Sequence, residues 1–393
     1  MAEPRGGLLL DVSGALYPGG GGGIGRYIRD LVAALVSTPA APFARFAYSR
    51  NLRAPARDLA ARDRLVELPF PNRVNMLLAM AAANFGWNLE PLYGRPAVFH
   101  SPNGAGPALR GSRLLLTIHD LTFLDHPEWH TTRNTAYMKA TVPAAAPRAD
   151  LVLCDSEYVR GKVIQRLGVS EDRAVTVPLA VDDAFRPVSE EVARENVARR
   201  FGIEQAFLLH VGSLEPRKNH LRLIEAFETV RNQGIDVLLV LVGPAGWRND
   251  RIIARIADSP AAGSIRRLTG VSDHELAALY SACVAFALPS LEEGFGLPLA
   301  EAMACGAACI AADNSSLREI GMDGAILVPA EDATALARAL RGLCGDAALR
   351  ATWRARGLER SGRYRRDVWI GRMMGIYRDL IDAGVPAARS IAQ

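Results

Sequence analysis

In the second half of the chain, short apolar runs alternate with segments whose apolar positions recur every three to four residues. AFLLHVGS precedes HLRLIEAFETVRNQG, and VLLVLVGP precedes RNDRIIARIADS. SIRRLTGV leads to DHELAALYSA, VAFALPS to LPLAEAMACG, and AACIAAD and AILVPA to DATALARALRGLC. Runs without a polar face predict strands buried on both sides, and helices between them predict a parallel sheet wound on both faces. The first half repeats the theme less regularly, with candidate strands in GLLLDVSG, RFAYSR, RLVELP, AVFHSP, RLLLTIHD, LVLCDS and AVTVPLA. NMLLAMAAANFGW, residues 75–87, is too short to span a bilayer and is expected as a buried helix. VDDAFRP breaks the pattern near residue 182, and ARENVARRFGI then forms a connecting helix. The expectation is an α/β protein of two doubly wound domains, 1–182 and 183–365, followed by a terminal helical segment, 366–393. Two such domains in tandem predict a ligand cleft between them, with ligands at the carboxyl ends of strands.

Composition narrows the class. With 49% hydrophobic and 22% charged residues, the 393-residue chain is too apolar for disorder and long enough for two cores. The N-terminus enters a strand without a signal-like apolar stretch, so a cytoplasmic protein is expected. Five cysteines, none in a CxxC pair, read as small buried hydrophobes in a reducing compartment. Net charge is +4, and residues 1–180 hold about 20 basic against about 15 acidic side chains. That excess, in stretches such as RNLRAPARDLAARDR, suggests peripheral contact with an anionic membrane. It is too small, and lacks the aromatic interleaving, for a nucleic-acid binder.

The glycine run YPGGGGGIGRY fits G-x-G-x-x-G at Gly20, Gly22 and Gly25. A dinucleotide fingerprint requires a strand ending directly in the first glycine and an acidic residue about 20 positions on. Here the strand ends near Val12, and the next candidate strand ends in Arg50. The run therefore reads as a loop that lets backbone approach a ligand, leading into a helix whose start favours an anion.

Four features of the second half converge on one chemistry. In HVGSLEPRKNH, the strand ends at Gly212 and a short loop presents Arg217 and Lys218 near the next helix start, an arrangement suited to a diphosphate. In SLEEGFGLPLAEAMACG, seven residues separate Glu293 from Glu301, with Gly294 and Gly296 between them and Pro298 suited to a first helical turn. Glu293 is placed to accept bonds from sugar hydroxyls and Glu301 to hold a ribose diol. In GVSDHELAALY, Ser272 and Glu275 form a capping box, which leaves the Val271 backbone at a strand–helix junction where it can read a base edge. VGPAGW adds a glycine turn at Gly243.

In this order the motifs resemble the retaining GT-B glycosyltransferases of the family-4 type (glycosyl transferases group 1), and the EPRKN variant resembles their bacterial polysaccharide mannosyl- and rhamnosyltransferases. The resemblance runs over nearly the whole chain. It implies a GT-B architecture: two Rossmann-like domains facing a central cleft, with a C-terminal helix, bearing Trp369, that crosses back to the first domain. It implies a donor site at the backbones of Gly23, Gly25, Gly212, Gly243, Val271, Gly294, Phe295, Gly296 and Leu297, and at Glu301. His119, in TIHDLTFLDHPEW, matches the family's active-site histidine, expected near C6 of the donor sugar and not as a general base. Arg217 and Lys218 match the pair that holds the diphosphate, and Glu293 with Glu301 the E-x7-E signature. Many members carry Arg directly after the glycine at the VG strand end; here Ser213 stands there, so Arg217 must supply that cation.

The implied reaction transfers a hexose, from a GDP-mannose-like donor or a UDP-sugar, to a hydroxyl of a glycan, lipid-linked sugar or small molecule. Configuration would be retained, with no metal or other cofactor. His126 and His130 are four apart in DHPEWH, but Pro127 disrupts a helix there and no zinc pattern completes. His210 is expected inside a strand, and His220 and His274 as exposed residues at helix starts. A sugar-nucleotide epimerase, a phosphorylase-like enzyme and a nucleotide-sugar-binding protein on the same plan are the competing readings. Intact Glu293, Glu301, Lys218 and His119 argue against the last, and no lysine suggests itself for the pyridoxal phosphate of a phosphorylase.

Overall fold

The computed structural model of the protein describes residues 7–16, 22–38, 44–56, 62–85, 87–107 and 109–384. Among the described residues, thirteen strands form where the apolar runs predict them. They are β1 (Leu8–Asp11), β2 (Ala44–Ser49), β3 (Leu65–Leu68), β4 (Val98–Ser101), β5 (Arg113–Ile118), β6 (Leu151–Cys154) and β7 (Ala174–Thr176), then β8 (Phe207–Val211), β9 (Leu238–Val242), β10 (Ile265–Leu268), β11 (Ala285–Leu288), β12 (Cys309–Ala312) and β13 (Ala325–Val328). They assemble into two sheets, ordered β3-β2-β1-β4-β5-β6-β7 and β10-β9-β8-β11-β12-β13. Every pair is parallel. In each sheet the order reverses beside the first strand, between β1 and β4 and between β8 and β11. Chains leaving two such strands part to opposite faces of the sheet and leave a crevice at their carboxyl ends.

Side-chain alternation explains the near-continuous apolar runs. On β8, Phe207 and Leu209 pack on one face with Phe286 and Leu299. Leu208 packs on the other with Leu223 and Phe227. Both layers are closed to water, so the positions are apolar except His210, whose Nδ1 lies 2.9 Å from the Ala287 carbonyl oxygen. Each fully buried Leu or Phe contributes about 1.5–3 kcal/mol.

The chain divides into two compact units. One comprises Met1–Pro127, Thr132–Pro178 and Asp367–Gln393; the other comprises Glu128–Thr131 and Leu179–Arg366. The second unit thus begins a few residues before the expected edge at 183. There Val181 N–H donates to the Tyr364 carbonyl at 2.8 Å, and Asp182 pairs with Arg366 at 2.5 Å. The strand of chain entering this unit and the one leaving it are therefore tied side by side. Segment 128–131 joins the same unit because Trp247 Nε1 donates to the Trp129 carbonyl and the His130 and Trp247 rings stack with centroids 6.3 Å apart.

The helix Arg366–Asp382 packs on the first unit through Trp369, Met373 and Tyr377, buried residues four apart on one face. Arg113 fastens its end, donating to the Ala383 and Gly384 carbonyls at 3.0 and 2.8 Å.

One element departs from expectation. The helix Asn72–Phe85 is not buried: Leu77 and Phe85 are 63% and 73% exposed. Among the described side chains of this helix, Leu78 and Ala82, one turn apart, reach the core. Overall apolarity reported the helix but not which of its sides had a partner. No described helix is long and apolar enough to cross a membrane.

Candidate active site

The order reversal in the second sheet sets two loops side by side. After β8 the chain passes through Gly212 and a 3-10 turn, Pro216–Lys218, into the helix His220–Asn232. After β11, residues 289–296 lead into the helix Leu297–Ala304. Leu291 N–H donates to the Arg217 carbonyl at 2.8 Å, and Asn219 Nδ2 donates to the Pro289 carbonyl at 2.9 Å. These bonds bring the basic pair onto Glu293. Arg217 donates to Glu293 Oε2 at 2.6 Å, Lys218 to Oε1 at 2.6 Å, and the Ser290 hydroxyl to Oε1 at 2.7 Å. Arg217 also donates to Glu215 Oε1 at 3.0 Å. Lys218, Glu215 and Glu293 are all buried. Burial alone would push the Glu293 carboxyl up; the Arg217 and Lys218 charges and the hydrogen bonds from Lys218 and Ser290 reverse this and hold it at about 2.

The glycines around this site have distinct reasons. At Gly243, φ is +152°, and a Cβ would lie 2.1 Å from the Gly212 carbonyl oxygen, because the loops after β8 and β9 run in backbone contact. Gly212 N–H donates to the Val242 carbonyl at 2.9 Å, and Leu214 N–H to that of Pro244 at 3.0 Å. Gly296 caps the helix Leu297–Ala304 with φ +95°, and a Cβ there would meet Leu317 Cδ2 at 2.5 Å. Phe295 is buried edge-on against Tyr364, and Leu297 is half-buried. Glu301 lies on the second turn of that helix, buried, and accepts from the Tyr280 hydroxyl at 3.1 Å. The capping box at Ser272 and Glu275 forms as its spacing predicts, with half-buried Val271 immediately before it.

In the first unit, the ends of three neighbouring strands converge on His119. It follows β5, Pro102 follows β4 and Asp155 follows β6. His119 Nδ1 lies 2.7 Å from Asp155 Oδ2, and Nε2 lies 2.9 Å from the Pro102 carbonyl oxygen. Nε2 therefore carries a hydrogen, and a proton sits on the Nδ1–Asp155 contact whichever partner holds it. Burial by itself pushes the imidazole down, but Asp155 and the Pro102 carbonyl outweigh it and leave His119 above its usual value. Burial raises Asp155, against the pull of His119. With both ring nitrogens engaged, His119 has no vacancy for a proton from an attacking hydroxyl.

The glycine run meets this group through its helix. Residues 17–21, and with them Gly20, lie outside the described residues. The helix Gly22–Ser37 carries exposed Gly23 and buried Gly25. Two residues on, the Tyr27 ring stands edge-on to His119 at 4.9 Å, and its hydroxyl lies 3.0 Å from Thr117 Oγ1.

Other expectations divide. His210 is inside β8 as predicted, and burial lowers it to about 4. His274 is exposed. His220 is not: the first turn of its helix sets it edge-on against His210 of β8, with ring centroids 4.6 Å apart, and it is buried. Four cysteines are buried and Cys344 is half-buried. Among the described residues, no group of three or more His, Cys, Asp or Glu side chains could hold a metal ion.

Asp155, Tyr27, Glu215, Ser290 and Tyr280 went unassigned in the sequence. A signal existed for Asp155: HD after one strand and CDS after the next put both side chains at neighbouring carboxyl ends. Glu215 sits inside the same EPRKN motif as Arg217.

Two sheets of this order, with half-buried Arg217 and buried Lys218 held on buried Glu293 at the reversal of the second, fit a GT-B glycosyltransferase. The Glycosyl transferases group 1 profile matches residues 194–360, and that of Glycosyltransferase Family 4 matches residues 21–185. The O-antigen chain mannosyltransferase B of Escherichia coli is 30% identical over 268 residues, 68% of this chain and 70% of that one. The serotype-specific mannosyltransferase WbdA of E. coli is 31% identical over 225 residues, 55% of this chain but only 27% of the relative's length. Among solved structures, sucrose-phosphate synthase from Thermosynechococcus elongatus superposes with a TM-score of 0.75 at 21% identity, covering 97% of this chain and 100% of that one. The chain belongs to the group 1, family 4 glycosyltransferases.

Proposed function

We propose that this glycosyltransferase moves a mannose-like hexose from a nucleoside-diphosphate sugar, GDP-mannose before a UDP-sugar, to a hydroxyl of a growing glycan or lipid-linked sugar. Retention of configuration and independence from metal are part of the same reading. The observation that carries it is the Arg217–Glu293–Lys218 cluster at the carboxyl ends of β8 and β11. Breaking a sugar–phosphate bond leaves negative charge on the diphosphate. Two fixed cations and the start of the helix Leu297–Ala304 are suited to stabilising that charge in a water-poor site. Glu293 then orients the donor sugar, Glu301 holds the ribose, and the backbones of Gly23, Gly25, Gly212, Gly243, Val271, Gly294, Phe295, Gly296 and Leu297 line the donor. His119 contributes to transfer through its ring and not as a base, since both its nitrogens are engaged. Two relatives with mannosyltransferase names favour the mannosyl donor.

The deciding experiment is calorimetric titration with GDP, UDP, ADP and dTDP in chelator, followed by transfer from the matching labelled sugar nucleotide. Selective binding of GDP and release of GDP on transfer are expected. Preference for another base would replace the donor, and loss of turnover in chelator would remove the metal-free reading. Peripheral contact with anionic lipid through the first unit belongs to the same proposal. Absence of co-sedimentation with phosphatidylglycerol vesicles would refute it.

A further inference from the structure

The cations assigned above to the donor are already neutralised from within. Glu293 is buried and takes both of them at 2.6 Å. Among the described residues, Lys218 Nζ donates to Glu293 alone. Such pairing has a physical reason: a buried cation without a counter-charge carries a heavy desolvation cost, so an unliganded site of this kind needs an anion of its own. A diphosphate and a carboxylate then compete for the same donors, since Arg and Lys bind both through the same charge-assisted bonds.

On this basis we propose that Glu293 is an internal stand-in for the donor's diphosphate, and that donor binding is an exchange of anions. The diphosphate takes Arg217 and Lys218 from Glu293, and the released carboxylate turns to the hydroxyls of the donor sugar. This rests on the donor reading above and adds an order of events to it. Ser290, 2.7 Å from Oε1, remains as a pivot that keeps the freed carboxylate in place. Glu215 stays on Arg217, so the guanidinium keeps one carboxylate through the exchange. A nucleoside diphosphate without its sugar strands Glu293 in a buried, like-charged position. A complete sugar nucleotide supplies hydroxyls to satisfy it. The site therefore favours intact donor over spent product, which promotes product release after transfer.

The test compares dissociation constants of GDP and GDP-mannose for the wild type, Glu293→Gln and Glu215→Gln, measured by calorimetry on the full chain. UDP and UDP-glucose replace them if the wild type prefers uridine. Glu293→Gln is expected to bind the bare nucleoside diphosphate about tenfold more tightly, an increment of about 1.4 kcal/mol. The wild-type preference for the sugar nucleotide over the diphosphate should collapse toward unity. Glu215→Gln removes a charge that touches Arg217 but not Lys218, so its gain should be clearly smaller. Equal gains in the two variants would assign the effect to the general local field and overturn the exchange. So would unchanged or weaker binding in Glu293→Gln. Near-UV dichroism checks that this variant folds. If it does not, Glu293→Asp decides: its carboxylate is retracted by one methylene and should give a gain in the same direction. Wild-type protein that binds no nucleoside diphosphate would overturn the donor reading itself, an outcome distinct from wild-type binding with no gain in the variant.

Discussion

Tyr377 is the most informative single position for the attachment of the last helix. Its side chain is fully buried, and its hydroxyl lies 2.8 Å from Nδ1 of His100, which is also fully buried. His100 Nε2 lies 2.8 Å from Thr117 Oγ1, and Thr117 is 3.0 Å from the Tyr27 hydroxyl. A polar thread thus runs from the last helix through β4 and β5 to the helix that begins in the glycine run. Burial drives His100 down to about 3, so it is neutral at pH 7 and the thread carries no ion pair. Tyr377→Phe keeps the ring and removes one neutral hydrogen bond, worth about 0.5–1.5 kcal/mol, and leaves a buried nitrogen to find a new partner, at about 1–3 kcal/mol. A destabilisation of about 2 kcal/mol is expected. His100→Leu removes the other partner at similar volume. The double variant should cost about 1–2 kcal/mol less than the sum of the singles, because no orphaned group remains. A single melting temperature is a poor measure for two units. The assay is native-state hydrogen exchange, read at the amides of β4, β5 and Arg366–Asp382. A Tyr377→Phe cost below about 0.5 kcal/mol, or additive singles, would refute the thread as a stabilising connection.

Three further outcomes are expected. Gly296→Ala places a Cβ 2.5 Å from Leu317 Cδ2 at φ +95°; a loss of about 2–4 kcal/mol in the second unit by urea unfolding is expected, and less than about 1 would contradict the packing. Tyr280→Phe takes a hydroxyl from buried Glu301 and should cost about 1.5–3 kcal/mol while raising the donor KM more than it lowers kcat; an unchanged KM would remove Glu301 from donor binding. The folded-state value of Glu293 is depressed to about 2 from an ordinary 4.5, so its contribution is complete above about pH 5 and is lost as pH falls toward 2. At 1.36 kcal/mol per unit this is on the order of 3 kcal/mol; second-unit stability measured against pH should be flatter over that window in Glu293→Gln, and parallel curves would show that other carboxyls dominate.

The fold was legible because strands closed on both faces are mostly apolar, and all thirteen runs became strands, although polar positions such as His100, Thr117 and His210 sit inside them and Arg266 and Arg267 are exposed on β10. The helix Asn72–Phe85 was misjudged because apolar content reveals a helix but not how many of its sides find a neighbour. His220 was misjudged for the opposite reason: a helix start is usually wet, and nothing local announced that this one would pack against His210 of β8. In the candidate site, each motif was readable alone, but its pairing was not. Arg217 and Glu293 stand 76 residues apart and meet only because the sheet reverses between β8 and β11. The sequence reading therefore saw two available cations, whereas the folded chain holds them against a carboxylate. His119 was singled out by its motif, while its hydrogen-bond partner Asp155 needed knowledge of which strands are adjacent.

The first unit is sewn from pieces at both ends of the chain, and this orders its birth on the ribosome. Its first part is finished by Pro178, yet the helix that covers Tyr27 and His100 begins only near Asp367. At ~5–20 residues per second, the nascent chain waits about 10–40 seconds for that cover. The second unit, continuous apart from Glu128–Thr131, is nearly all synthesised within that interval. Translation that stops before Tyr377 would therefore release a protein whose second half is built and whose first half stands open, a client for chaperones and proteases.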